Sequence, residues 1–265
     1  MGRSAAFFDL DKTVIAKSST LAFGRPFYQG GLINRRTVVR SAYAQFVFAL
    51  SGADADQMDR MRDYLTAMCT GWDVQQIRDI VNETLHEIID PIVYDEAVEL
   101  IEEHKRAGRV VVIVSSSGSE VVEPIGEIVG ADRAIATRMV IEDGRYTGAI
   151  EFYAYGRHKA DAIRALAAEE GYDLAQSYAY SDSSTDLPML EAVGHPFAVN
   201  PDRALRKEAV ARGWPILTFT NAVPLRARLS ELKPSHPAVT AGIAAAGAAA
   251  VGAAFVAGWR RAARN

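Results

Sequence analysis

Apolar positions divide the chain into three regimes. The first is brief: residues 5–10 are an apolar run that reads as a short buried strand. A helical regime follows. Residues 35–50 place Val38, Val39, Ala42, Phe46 and Ala49 on one side. Asp54 can cap a second helix with Met58, Met61, Leu65 and Met68 on its apolar face. Asp73 can cap a third, with Val74, Ile77, Val81, Leu85 and Ile88. Residues 16–89 thus read as a helical block without a strand pattern, closed by Asp90-Pro91.

Helix and strand then alternate. Helices are predicted at 94–106, 119–129, 159–170, 187–193 and 202–212. The β-branched run 110–114 reads as a parallel strand buried on both faces. Further strands fall at 177–181, 197–200 and 216–219, and 138–153 reads as a hairpin turning at Asp143-Gly144. Such alternation implies an α/β fold, a mostly parallel sheet with helices on both faces. The expected organisation is a discontinuous core (1–15 and 90–220) and an inserted helical module (16–89). A linker (221–237), an apolar helix (238–259) and a basic end (260–265) complete it.

Charge and composition adjust this picture in two places. Net charge is −4, which argues against a nucleic-acid binder driven by bulk positive charge. Cys69 is the single cysteine, so neither an internal disulfide nor a cysteine-built zinc site can form, as suits a reducing compartment. The start of the chain shows no signal-peptide pattern, because Asp9 and Asp11 interrupt the apolar run. The anomaly lies at the other end. Residues 238–259 are 22 uncharged positions, mostly Ala, Gly and Val, followed by Arg260, Arg261 and Arg264. At about 1.5 Å per residue a helix of that length crosses ~30 Å of hydrocarbon. Trp259 beside Arg260 resembles an interfacial anchor. The alternative is a weakly hydrophobic helix that docks on its own body or on a second copy.

Four groups of residues carry chemistry. Asp9 and Asp11 stand at i and i+2 where the first strand runs out, a spacing that puts both on one side of an extended chain. In an open parallel sheet the carboxyl ends of strands are where ligands bind. Close carboxylates repel unless a cation or shared proton offsets them, and Mg²⁺ suits such oxygens. Ser115 ends the second predicted strand, Lys159 begins a helix, and Asp182 and Asp186 close a third strand and open a helix. Taken singly, each has a plainer reading: acidic loop, turn serine, solvated lysine, first-turn helix charge.

In order, Asp-x-Asp-x-Thr, strand–Ser, Lys and Asp-x-x-x-Asp resemble the haloacid dehalogenase superfamily of phosphohydrolases, in its phosphoserine-phosphatase-like branch, over residues 4–220. The resemblance implies a Rossmann-like core with the helical block as its cap. It implies Asp9 as nucleophile and Asp11 as general acid and base, with Thr13 orienting Asp11 or tightening the loop. Asp9, Asp182 and the backbone carbonyl of Asp11 would hold Mg²⁺. Ser115 would hydrogen-bond the phosphoryl oxygens, Lys159 would neutralise them, and Asp186 would reach the metal through water or anchor Lys159. Asn200 would support the same shell. A carboxylic acid at position 11 points to phosphate monoesters, whose alcohol leaving groups need a proton.

Substrate choice falls to the cap. Phosphoserine phosphatases carry a Glu nine residues after the nucleophile; here that residue is Ser18. Arg25, Arg35, Arg36 and Arg40, with Phe23, Phe27 and Tyr28, form either a solvated basic face or a basic, aromatic mouth. With residues 238–259 this suggests a lipid phosphate such as lysophosphatidate or a phosphatidylglycerophosphate, met at the cytoplasmic face of a membrane. The alternatives are a soluble small-metabolite phosphatase and a membrane-tethered binding protein without turnover.

Overall fold

A computed structural model describes residues 3–33 and 66–220 of the chain. The predicted helices at 35–50 and after Asp54, the arginines Arg35, Arg36 and Arg40, the linker and the apolar segment 238–259 lie outside the described residues. No helix among the described residues is long and apolar enough to cross a membrane.

The strands β1 (Ala5–Phe8), β2 (Val110–Gly118), β3 (Arg133–Glu142), β4 (Arg145–Phe152), β5 (Tyr178–Ser181), β6 (His195–Val199) and β7 (Ile216–Leu217) form one sheet in the order β4-β3-β2-β1-β5-β6-β7. All neighbours are parallel except β3 and β4. The fold is therefore the expected α/β one. The order in which strands are added along the sheet reverses beside β1, since β2 and β3 lie to one side and β5 to β7 to the other. That switch point opens a crevice at the carboxyl ends of β1 and β5.

Side-chain alternation accounts for the two layers. Ala6 and Phe8 of β1 and Val111 and Ile113 of β2 face one core; Ala5, Phe7, Val112 and Val114 face the other. Helices α3 (Val74–Ile89), α4 (Asp95–Arg106) and α5 (Ser119–Ile128) cover the first. Helices α6 (Arg157–Glu170), α7 (Leu187–Glu191) and α8 (Arg203–Arg212) cover the second. Two short helices, α1 (Ser19–Ala22) and α2 (Gly24–Gln29), precede the undescribed stretch. Asp73 caps α3 as expected, accepting the Gln76 N–H at 3.1 Å. The buried stripe of α3 is Val74, Ile77, Val81, Leu85 and Ile89, with Ile88 half-buried.

Three boundaries depart from the sequence pattern, each for a local reason. β1 stops at Phe8, because the Leu10 carbonyl accepts the Val14 and Ile15 N–H groups at 2.9 and 3.0 Å and folds the chain into a turn. β2 continues past Val114 through its serines, since 133–137 of β3 pair alongside it in parallel before β3 turns antiparallel to β4. The turn between β3 and β4 is at Asp143-Gly144 as expected, both with positive φ (48° and 75°). β6 ends at Val199, because Asn200 adopts φ +43°. Phe23 and Phe27, which one of the two alternatives placed at a basic, aromatic mouth, are buried and pack against each other, with Phe27 edge-on to Trp72.

Where the chain leaves the core and returns, the two passes are tied together. Ile15 bridges Val93, the Ala16 N–H donates to the Ile92 carbonyl at 2.7 Å, and the Tyr94 N–H donates to the Val14 carbonyl at 2.9 Å.

Beneath β1 an aromatic column supports the strand that leads to Asp9. Phe8 stacks on Tyr180 at 4.4 Å and Tyr180 on Phe197 at 4.9 Å. His104, 4% exposed, meets Phe8 edge-on and lies 2.9 Å from the Tyr180 hydroxyl through Nε2. Its Nδ1 faces the Arg109 guanidinium at 3.3 Å. Arginine only donates, so Nδ1 accepts and Nε2–H donates to Tyr180, which fixes the neutral tautomer. Burial, with the Arg109 charge adding, lowers its pKa from 6.5 to about 4. The unfolded chain then binds more protons here than the folded one between those values. Stability from His104 is complete above about pH 6.5 and is lost as pH falls towards 4, by about 3 kcal/mol at most. In urea unfolding at a series of pH values, the stability gap between wild type and His104→Gln narrows on acidification through this window.

Candidate active site

The register of the sheet gathers the four motifs. Phe8 lies level with Ile113 of β2 and Tyr180 of β5, so the next residues of all three chains reach the same edge together. Asp9 continues the side-chain parity of Ala5 and Phe7, which aims it at the face covered by α6. Helix α6 buries Lys159, Ile163 and Ala167, four apart, so Lys159 occupies the first rung of its core-facing stripe.

There Lys159, only 3% exposed, places Nζ 2.6 Å from Asp9 Oδ1 and 2.8 Å from Asp186 Oδ2. The Ser181 hydroxyl donates to the same Asp186 oxygen at 2.8 Å. Burial alone would lower the lysine pKa, but Asp186 and Asp9 more than offset it and raise it, so the ammonium stays charged. Burial pushes the Asp9 carboxyl up to about 8; Asp186 and Asp182 add to the shift and Lys159 opposes it. Burial likewise raises Asp182 to about 7, with Asp186 and Asp202 adding and Lys12 and Lys159 opposing. With all ionised, three carboxylates (Asp9, Asp182, Asp186) against one ammonium leave a formal −2 in a mostly buried site.

That imbalance tests the fit of a divalent cation. Asp182 is 9% exposed and its carboxylate has no hydrogen bond among the described residues. Asp9 Oδ2 accepts only a long one, 3.3 Å, from the Thr13 hydroxyl. Hard, electron-rich oxygens left this free suit Mg²⁺. No group of three or more His, Cys, Asp or Glu arranged to hold a metal occurs among the described residues. A metal there would use these two carboxylates, backbone oxygen and water, a mixed shell that Mg²⁺ accepts.

Asp11 lies apart from this group. Its Oδ1 accepts the Ser19 N–H at 2.8 Å and its Oδ2 faces the Ser117 hydroxyl at 3.4 Å. Burial raises its pKa, partly offset by those hydrogen bonds and by Lys159. The turn that ends β1 gives Lys12 φ +61° and separates the two aspartates, so they do not share one face of a strand. Ser115 is buried, and its Oγ accepts the Ser117 N–H at 3.2 Å. Its own hydroxyl hydrogen has no acceptor among the described residues and can serve an incoming oxygen.

Two expected partnerships differ, and a third is narrowed to one of its alternatives. Thr13 hydrogen-bonds Asp9 and not Asp11. Of the two alternatives for Asp186, it anchors Lys159 directly. Asn200 turns away: its Nδ2 donates to the Phe219 carbonyl and its Oδ1 accepts the Phe219 N–H, both at 3.0 Å, closing the end of β7. Ser18 is half-buried, and its side chain makes no capping bond at the start of α1. Arg25 is exposed.

Sequence reasoning missed Ser19, Ser117 and Asp202. Asp202 caps α8 through the Leu205 N–H at 2.7 Å and also accepts the Ser184 N–H at 2.8 Å. Its own N–H donates to the Asp182 carbonyl at 2.8 Å, so it braces the Asp182 loop from both sides. The Pro201-Asp202 capping pattern was the available signal.

The chain matches the haloacid dehalogenase-like hydrolases over residues 6–191 and belongs to that family. It is 68% identical over 241 residues to a Streptomyces azureus protein named inhibition of morphological differentiation protein, covering 90% of this chain and 87% of that one. A probable phosphatase of Mycobacterium tuberculosis is 63% identical over 241 residues (91% and 84%). A phosphoserine phosphatase of the same organism is 35% identical (82% and 71%), and a histidinol-phosphatase of Neisseria meningitidis is 30% identical (82% and 99%). Among solved structures, a Bordetella pertussis protein of unknown function superposes with TM-score 0.73 at 29% identity, covering 82% of this chain and 99% of that one.

The buried lysine yields a stability prediction. Removing its charge leaves Asp9 and Asp186 facing each other unpaired. In the absence of divalent metal, Lys159→Met lowers the unfolding free energy by about 3–5 kcal/mol, read by urea titration at pH 8.5.

Proposed function

We propose that this phosphatase of the haloacid dehalogenase type hydrolyses small phosphate monoesters through an aspartyl phosphate on Asp9. The observation that carries the reading is the buried Asp9–Lys159–Asp186 group at the switch point, with Asp182 beside it. Such a group has little structural use but suits an anionic nucleophile that must meet a dianion.

In the first step an Asp9 carboxylate oxygen attacks phosphorus, the bond from phosphorus to the ester oxygen breaks, and Asp11 gives its proton to the departing alkoxide. Asp11 then takes a proton from the water that cleaves the aspartyl phosphate. Burial raises the proton affinity of Asp11, the direction that favours a proton-bearing acid. Lys159 holds Asp9 in place and neutralises charge, and Ser115 donates to a phosphoryl oxygen. Asp9, Asp182 and the Asp11 carbonyl would hold Mg²⁺, which would supply neutralisation of the charge on nucleophile and phosphate. Residues 1–15 and 90–220 serve as the catalytic core and 16–89 as the cap.

The substrate reading shifts from the lipid phosphate expected above to the small-metabolite alternative. The named substrates of two relatives, phosphoserine and histidinol phosphate, are both phosphates of small amino alcohols. The lipid reading drew on residues 238–259, which lie outside the described residues. With Ser18 in place of Glu, the substrate amine would be met by another group of the cap.

Two outcomes test this. With Mg²⁺ and p-nitrophenyl phosphate, Asp9→Asn lowers turnover by at least ~10³-fold. Among phosphoserine, histidinol phosphate and lysophosphatidate, phosphate release is fastest from one of the first two; a preference for lysophosphatidate overturns the small-substrate reading. Protons on Asp9 and Asp182 compete with the metal, since their carboxyls titrate at about 8 and 7 without it. The apparent Mg²⁺ affinity, measured by calorimetry, therefore weakens about tenfold or more from pH 8 to pH 6.

A further inference from the structure

We infer that Ser19 and Ser117 are positioning residues for the general acid Asp11, one contributed by the cap and one by the core, so that the acid is aimed only when the start of the cap is seated. The inference rests on the proposed role of Asp11 and extends it to two residues that the four motifs do not contain.

The geometry is a closed ring of hydrogen bonds. Asp11 Oδ1 accepts the Ser19 N–H at 2.8 Å, Asp11 Oδ2 accepts the Ser117 hydroxyl at 3.4 Å, and the two serine hydroxyls meet at 2.8 Å. Both serines are buried. Neither contact is local: Ser19 lies 8 residues and Ser117 106 residues from Asp11. Ser19 is the first residue of α1, while Ser117 sits on β2 two residues beyond Ser115. A plain packing role would not need a backbone N–H on one carboxyl oxygen and a hydroxyl on the other. A hydrogen bond at each carboxyl oxygen fixes the plane of the group, and a general acid must present its proton to one direction, the leaving oxygen. Ser117 also ties this direction to the phosphate site, because its N–H donates to Ser115 Oγ.

The chemistry gives a readout that structural damage does not imitate. When the P–O bond breaks, both its electrons go to the leaving oxygen and the Asp11 proton follows them, giving the free alcohol and the Asp11 carboxylate. An alkyl alkoxide needs that proton, whereas p-nitrophenolate is a weak base that departs without it. The ratio kcat/KM covers only the steps through departure, so the water step shared by both substrates does not enter.

The experiment compares kcat/KM for phosphoserine and p-nitrophenyl phosphate in full-length protein with Mg²⁺, for wild type, Ser117→Ala, Ser19→Ala, the double variant and Asp11→Asn. Ser117→Ala is expected to lose about tenfold on the alkyl ester and less than about threefold on the aryl ester, and Ser19→Ala, which keeps its N–H on Asp11 and removes only the hydroxyl that meets Ser117, shows the same split at smaller size. The double variant widens that split, towards the ~10²-fold or greater split of Asp11→Asn. Equal losses on both esters, or no loss on either, in the serine variants would overturn the inference. If Asp11→Asn shows no split, the assignment of Asp11 as general acid fails first, and the inference falls with it. A split for Asp11→Asn without one for the serines refutes the positioning role alone.

Discussion

One ammonium group, that of Lys159, holds the site together. It lies within hydrogen-bond reach of two carboxylates from different parts of the chain, Asp9 after β1 and Asp186 after β5. Without it the two acids would face each other in a medium that screens them poorly. With it they are organised but not neutralised, since Asp182 brings a third negative charge to the same edge. The residual charge is what makes the site useful. A fully balanced group would be inert, and a fully unbalanced one would cost too much to fold. The arrangement stops between these limits and leaves a deficit that a divalent cation would meet.

The sheet makes this possible by register. Parallel strands deliver their carboxyl ends to one edge, so residues far apart in sequence arrive at the same level. Side-chain parity then assigns the face. Asp9 follows Phe7 towards α6, and Lys159 leads the stripe of Ile163 and Ala167 that covers the same face. The aromatic column of Phe8, Tyr180 and Phe197 lies on the opposite face and fixes the height of β1 against β5. A slip of one residue there would turn Asp9 away from Lys159.

These features were legible in the sequence because they follow from periodicity. The β-branched run of β2, the alternation of helix and strand and the Asp143-Gly144 turn need only local rules. So do the four motifs, each placed at the end of an apolar run. The partnerships were not legible, because they depend on backbone that leaves the regular pattern. Thr13 meets Asp9 because the Leu10 carbonyl closes a turn that an extended strand would not make. Asn200 leaves the site because its positive φ turns it to Phe219. Phe23 and Phe27 carry no periodic mark that separates a buried aromatic from one lining a mouth. Asp202 was visible as a helix cap, but its hold on the Asp182 loop appears only in three dimensions.

The tie between the two chain passes gives the cap a mechanical place in this chemistry. Ile15 and Val93 are bridged, and hydrogen bonds join Ala16 to Ile92 and Tyr94 to Val14. The chain therefore leaves the core as one braced pair of segments and not as two independent linkers. Ser19 lies only three residues beyond Ala16, too short a span to absorb a rotation of the cap by bending alone. The Ser19 N–H that follows this braced pair is held by Asp11. Asp9 has no such link: its contacts are with Thr13, Tyr180 and Lys159. The two aspartates are thus coupled to different bodies. The nucleophile is fixed to the sheet, and the acid is shared between sheet and cap. On the roles proposed for them, the nucleophile is held by the sheet alone, whereas the aim of the acid depends on where α1 is seated.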